Sequence, residues 1–377
     1  MGTVPLQSTS YDANSGSPQG DCPHFLGGPK AVRIGDRLVG PGLPCFVIAE
    51  AGVNHNGDVD LARELVRAAA NSGADAVKFQ SFRAENLVAA GAPKAKYQLE
   101  TTDAAESQFA MIKRLELSAA AHRELVAQCR EAGIVFLSSP FDEEMVDLLA
   151  ELDVHAFKIP SGEITNLRYL RHVARKYKPM LLSTGMASLE EVKAALSAIE
   201  GAGDPGVVLL HCVSNYPADP ANVNLHAMTT MAQAFQRAVG YSDHVLGNEV
   251  AFAAVALGAC VVEKHFTLDR SLPGPDHRAS AEPAELAALV RGIRAVEASL
   301  GDGCKRPAPS EADTAAVARK SLFAARDIPA GAAIEADALV AKRPGTGMAA
   351  SMLDAIVGRR TCRAVAKDAM LTPEDLA

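Results

Sequence analysis

The chain has 377 residues, 48% hydrophobic and 22% charged, with a formal net charge of −8; this is an ordinary globular mixture, and at roughly 150 residues per domain it suggests about two domains. The acidic balance argues against non-specific nucleic-acid binding, which needs clustered Lys and Arg, and no apolar run reaches the roughly 18 residues of a membrane-spanning helix. Seven cysteines without a Cys-x-x-Cys pair, and no basic start followed by an apolar block, lead us to expect buried free thiols and a cytoplasmic protein.

Residues 1–42 read as an extension, largely disordered: Met1 to about Lys30 is rich in Ser, Gly, Pro and Asp and shows no hydrophobic period. From there to residue 300, short apolar runs alternate with longer amphipathic ones. The runs are Phe46–Val53, Ala74–Gln80, Ile134–Pro140, Ala156–Glu163, Pro179–Met186, Val207–Ser214, Ala238–His244 and Cys260–Thr267. Helical patterns such as Asp58–Ser72, Ser118–Ala132, Ser188–Ile199 and Pro283–Leu300 lie between or after them. Ser118 and Ser188 suit N-caps, and Gly73 and Gly133 suit C-terminal stops. Near-continuous apolar strands imply a parallel sheet covered on both faces. Eight strand–helix units over residues 43–300 fit a (β/α)8 barrel. An open doubly wound sheet is the alternative, but no glycine-rich dinucleotide fingerprint follows the first strand. A linker, 301–317, with Gly, Lys, Arg and Pro precedes a small module, 318–377. Within it Arg326–Leu339 echoes Arg363–Leu376, which suggests two related β-turn units about a pseudo-twofold. So small a module has a thin core.

Barrel enzymes work at the C-terminal ends of their strands. Here those ends carry Glu50, Lys78, Gln80, Lys158, Ser161, Glu163, Ser183, Ser214, Tyr216, Ser242, Asp243, His244, Glu263, Lys264 and His265. Charges in apolar strands are costly unless paired or liganded. The two lysines and the serines suit an anion bearing phosphate and carboxylate; salt bridges to neighbouring acids, or a Schiff-base role for Lys78 or Lys158, are the competing readings. His244 and His265, ending adjacent strands, could share a divalent cation or be structural, and imidazole favours Mn, Fe, Co or Zn over Mg. Glu50 either pairs with Lys78 or handles a water.

The stretches Ile48–Gly57, Ala74–Gln80, Phe157–Glu163, Leu182–Met186, Gly240–His244, Glu263–Thr267 and Gly274–His277 resemble the sialic acid synthase family. Arg343-Pro-Gly-Thr-Gly347 resembles the signature of its C-terminal antifreeze-like (SAF) domain, so the resemblance runs from about residue 44 to the end. It implies a TIM barrel followed by a small, mainly-β SAF domain. It also implies that C3 of phosphoenolpyruvate attacks the aldehyde of an open-chain N-acylated mannosamine, with loss of phosphate by C–O cleavage. By matching position, Lys78, Lys158, Ser161, Ser183, Tyr216 and Ser242 would hold phosphoenolpyruvate. His244 and His265 would bind Mn2+, with Mg2+ or Co2+ as other candidates, and Glu50 would act on the water. Glu163 and Asp276 would hold sugar hydroxyls, and Arg343 would reach the N-acyl group from a partner subunit in a domain-swapped homodimer. N-acetylmannosamine is the first acceptor implied, giving N-acetylneuraminate; 2,4-diacetamido-2,4,6-trideoxymannose, giving N,N'-diacetyllegionaminate, is the alternative. Gly162 resembles the neuraminate and legionaminate synthases rather than the pseudaminate synthases. A Schiff-base aldolase and a non-catalytic sugar-binding protein are remoter alternatives.

Overall fold

All eight apolar runs form strands, because each is buried on both faces and leaves no solvent side for a polar alternation. The computed structural model describes residues 29–377 except Ala104, with the side chains of Lys96, Tyr97 and Glu100 also outside the description. A hairpin of β1 (Val32–Ile34) and β2 (Arg37–Val39) comes first. The barrel strands follow: β3 (Phe46–Gly52), β4 (Ala76–Ser81), β5 (Val135–Pro140), β6 (Phe157–Ile159), β7 (Met180–Ser183), β8 (Val207–His211), β9 (Ala238–Asp243) and β10 (Val261–His265). Their order in the parallel sheet is β5-β4-β3-β10-β9-β8-β7-β6. β5 and β6 at its two ends are neighbours, so the sheet is a nearly closed barrel with helices outside.

The helices carry the expected punctuation. Ser118 accepts a hydrogen bond from the Ala121 amide, Ser188 forms a capping box with Glu191, and Gly133 ends its helix in the left-handed region at φ 68°. Two apolar layers result. The outer one packs the strands' outward side chains, among them Val47, Phe79, Leu182 and Val262, against the helices. The inner one fills the floor of the barrel with Phe46, Ile48, Leu137, Leu181, Val208, Leu210 and Val261.

That inner layer corrects the expectation for residues 1–42. The part over 1–28 lies outside the described residues, but 29–42 is not a disordered tail. Val32, Ile34 and Val39 of the hairpin belong to the inner core and plug the N-terminal end of the barrel. A two-residue Gly35-Asp36 turn with Gly35 at φ 58° allows the tight reversal.

The chain divides into one unit ending at Asp302 and another from Gly303 to Ala377. In the second, β11 (Ser321–Ala324) pairs antiparallel with β12 (Leu339–Lys342). Ile328 and Val365, equivalent positions of the sequence echo, exchange both backbone hydrogen bonds, at 2.8 and 2.9 Å. The 3-10 turns Ala336–Ala338 and Pro373–Asp375 also occupy equivalent places. This unit has its own core, of Leu322, Ile328, Ile334, Ile356, Val365 and Leu371 among others. Part of the expected linker is helical instead, over Ala312–Ala318, where alanine-rich sequence and Asp313 in the first turn favour a helix. Among the described cysteines, Cys45, Cys129, Cys212 and Cys260 are buried free thiols and Cys362 is an exposed one. No helix among the described residues is long and apolar enough to cross a membrane.

Candidate active site

Side chains alternate along a strand, so half of the polar strand-end residues must turn away from the barrel axis. On β10, Glu263 and His265 line the interior, while Lys264 Nζ donates to Asp243 Oδ2 at 2.6 Å and to the Val245 carbonyl at 2.7 Å. Lys264 and Asp243 are therefore an interstrand brace behind the site. Inside lies a cavity of about 360 Å³. Ten of the twelve expected site residues line it: Glu50, Lys78, Lys158, Ser161, Ser183, Tyr216, Ser242, His244, His265 and Asp276.

The other two are placed differently. Glu163 is not on the cavity wall; it ends a 3-10 turn, half-buried, and its Oε2 accepts from Asn166 Nδ2 at 2.8 Å. The chain leaves strand geometry after Ile159, so Ser161 and Gly162 face the cavity and Glu163 does not. Arg343 belongs to the second unit, exposed, with Nε donating to the Ala318 carbonyl at 3.1 Å.

The floor of the cavity is a buried charge cluster. Glu50 Oε2 sits 2.7 Å from Lys78 Nζ, and Glu263 Oε1 lies 3.6 Å from Lys78 Nζ and 3.4 Å from Lys158 Nζ. Ser242 Oγ donates to Glu263 Oε1 at 3.0 Å, and Lys78 Nζ donates to Ser139 Oγ at 3.1 Å. Burial penalises every charge here, and the pairing decides who keeps it. Lys78 has two carboxylates, Glu263 and Glu50, which outweigh burial and raise its pKa. Lys158 has an ion-pair contact with Glu263 alone, so burial, aided by the nearby Lys78 charge, dominates and lowers its pKa. Burial pushes Glu50 up to about 7 against the pull of Lys78. Burial would raise Glu263 as well, but Lys158 and Lys78 together hold it well below the usual carboxylate range. Asp276, buried at the mouth with only Lys78 to oppose that effect, is raised to about 6.

Beside this cluster stand His244 and His265, ring centroids 5.4 Å apart, with the Tyr216 ring 4.3 Å from the first and edge-on to the second. Burial lowers the pKa of both histidines, which keeps them neutral. His244 Nδ1 donates to the Val213 carbonyl at 2.6 Å, so its Nε2 carries the lone pair. His265 Nδ1 is buried without a hydrogen-bond partner among the described residues, as is Glu263 Oε2. Buried polar atoms normally find partners, and two neutral imidazoles with free lone pairs on adjacent strands form a donor set that fits a divalent cation. The described residues contain no group of three or more His, Cys, Asp or Glu arranged for a metal, so a cation here would complete its shell with water and substrate.

The polar lining residues outside the expected set include Glu263, Gln80 and Ser139. Glu263 and Gln80 had been noticed only as strand-end polar residues; Glu263 proves to be the hub of the charge cluster, and Gln80 Nε2 donates to Glu50 Oε1 at 3.3 Å. Ser139 had a legible signal, since Leu137-Ser138-Ser139-Pro140 ends the third barrel run with two hydroxyls.

Residues 65–305 match the NeuB family and residues 319–377 the SAF domain. The chain belongs to the NeuB family. It is 49% identical over 328 residues to N,N'-diacetyllegionaminic acid synthase of Campylobacter jejuni, covering 86% of this chain and 98% of that one. It is 50% identical to the enzyme of the same name from Legionella pneumophila, covering 85% and 91%. A crystal structure of N-acetylneuraminic acid (sialic acid) synthetase from Leptospira borgpetersenii superposes with a TM-score of 0.68 at 34% identity, over 76% of this chain and 95% of that chain. As a NeuB-family member the protein is an enzyme, a synthase of the transferase type, with its loaded strand ends gathered into one cavity.

Proposed function

We propose that this NeuB-family enzyme condenses phosphoenolpyruvate with open-chain 2,4-diacetamido-2,4,6-trideoxymannose, giving N,N'-diacetyllegionaminate and phosphate. The observation that carries the sugar is the pair of diacetyllegionaminic acid synthases at about half identity along nearly their whole length. It moves N-acetylmannosamine, the first acceptor implied by sequence, to second place.

In the reaction, C3 of phosphoenolpyruvate bonds to the aldehyde carbon, and the aldehyde oxygen takes up a proton. Water adds at C2, and phosphate departs with the bridging oxygen, leaving a ketone. Lys78 and Lys158 supply the positive charge for phosphate and carboxylate, and Ser161, Ser183 and Ser242 supply short-reach donors. Glu50, raised to about 7, is poised to exchange a proton with the adding water near neutrality. Tyr216 packs over His244 and walls one side. His244 and His265 would hold a divalent cation, Mn2+ foremost with Mg2+ or Co2+ as alternatives, whose chemistry when bound is Lewis-acid polarisation of the aldehyde. Asp276, at the mouth, and Glu163, in the 3-10 turn after β6, are assigned the sugar hydroxyls. Arg343 is assigned the N-acyl group, contributed by the partner subunit of a domain-swapped homodimer.

The test is phosphate release with a panel of acceptors: 2,4-diacetamido-2,4,6-trideoxymannose, N-acetylmannosamine and its 6-phosphate, each with product mass. We expect the highest kcat/KM for the first. Preference for N-acetylmannosamine would restore the neuraminate reading, and no release with any of them would remove the reaction.

A further inference from the structure

The same cavity has a second character that the charge cluster does not use. One layer farther out than Lys78 and Glu50, beyond the ends of β3 and β5, its wall is apolar: Val53, Met111, Ile112, Leu115 and Phe141. These side chains belong to a small hydrophobic cluster, with Phe82 and Leu87, that is separate from both barrel cores. Its scaffold is the helix Gln108–Arg114, capped by Ser107. Met111 and Leu115 share one face at i and i+4 and turn inward. Lys113 and Arg114 turn outward, where Lys113 is held by Glu85 and Glu116 and Arg114 by Glu106. Gly57, at φ 82°, lets the loop after β3 press against this helix, since a Cβ there would collide with the Arg114 carbonyl. The wall is thus fixed in place and its charges point away from the cavity.

An apolar wall inside an otherwise polar site is explained when the ligand brings apolar surface to it. We infer that Met111, Ile112 and Leu115 form a specificity subsite for the C6 methyl group of a 6-deoxy acceptor. This deepens the proposed function and rests on it. The aldehyde carbon must lie among the lysines and histidines, where the new bond forms. The opposite end of a six-carbon open chain then reaches the outer, apolar layer. A methyl group there packs on the half-exposed Ile112, which the fully buried Met111 and Leu115 back from behind; a 6-hydroxyl would lose its water without finding a donor or acceptor on these side chains.

The experiment is an internal competition in the wild-type enzyme with phosphoenolpyruvate. It uses equal amounts of 2,4-diacetamido-2,4,6-trideoxymannose and its 6-hydroxy counterpart, and reads the two products by mass. Their ratio gives the ratio of kcat/KM and does not depend on the fraction of active enzyme, so partial misfolding of a variant leaves it interpretable. The wild type should favour the 6-deoxy sugar by about 10- to 100-fold, the range for a small group in an apolar pocket. Met111→Gln and Ile112→Gln should each bring the ratio close to one; Ile112 is only half-buried, which keeps that variant foldable. A wild-type ratio near one overturns the subsite while leaving the diacetamido-sugar reaction standing, and so does a strong preference that survives both substitutions. Failure of both sugars alongside turnover of N-acetylmannosamine overturns the proposed function and the subsite with it.

Discussion

Asp276, at the cavity mouth, carries a stability cost set by its burial. Burial raises its pKa from the ordinary 3.8 to about 6. The native state therefore holds more protons than the unfolded state between those values, and stability falls as pH rises through that window. Above about 6 the full cost of the buried charge is present. Replacing Asp276 by Asn removes it: at pH 8 the variant should be more stable by up to about 3 kcal/mol, with no gain at pH 4, as read from urea midpoints at the two pH values. The same change should raise KM for the sugar. The histidines call for a different measurement. Dialysis against a chelator should abolish phosphate release and Mn2+ should restore it, whereas His265→Ala should stay inactive at any Mn2+ concentration and bind less Mn2+ in equilibrium dialysis. Full turnover by metal-stripped enzyme would remove the cation from the site.

At the scale of elements, legibility followed burial. The barrel strands could be read because both faces are covered and their sequences are continuous apolar runs. The residues at their ends could be located too, but which of them face inward depends on register: Ser242 and Glu263 pair across β9 and β10 facing the cavity, and the next pair, Asp243 and Lys264, faces away. Glu163 lies in a 3-10 turn beyond the strand end, where strand alternation no longer tells which way a side chain faces. The hairpin escaped for the opposite reason. Its strands are three residues long, carry Arg33 and Arg37 and are parted by the Gly35-Asp36 turn, so no apolar run betrays them. Ile34, fully buried in the barrel floor, makes the hairpin's role measurable. Ile34→Ala should cost about 2–5 kcal/mol of stability, the usual range for truncating a buried aliphatic side chain. Because the floor lies at the opposite end of the strands from the cavity, KM for phosphoenolpyruvate should stay unchanged at temperatures where the variant is folded. An unaltered urea midpoint would show that the plug adds nothing to the barrel.

For the whole molecule, the SAF domain is where sequence alone went furthest beyond any single unit of structure. Its internal echo was visible as a repeat and reappears as reciprocal pairing of Ile328 with Val365. The assignment of Arg343 to a partner's sugar site makes an assembly-level prediction that neither unit makes by itself. Co-express a His265→Ala chain and an Arg343→Ala chain with different tags, and purify the heterodimer. If each barrel is completed by its own SAF domain, every site in that heterodimer has one lesion, and activity with the amino sugar stays near that of the weaker variants. If the SAF domains are exchanged, one barrel with His265 intact receives an intact Arg343 while the other site collects both lesions. The heterodimer should then show about half of the wild-type rate per dimer, with a normal KM for the sugar. The Arg343→Ala homodimer serves as the control and should show a raised KM for the sugar but not for phosphoenolpyruvate. A heterodimer no more active than its two parents would place Arg343 in its own chain's site, or outside the site altogether; a weakened affinity for phosphoenolpyruvate alone in the control would remove its contact with the N-acyl group.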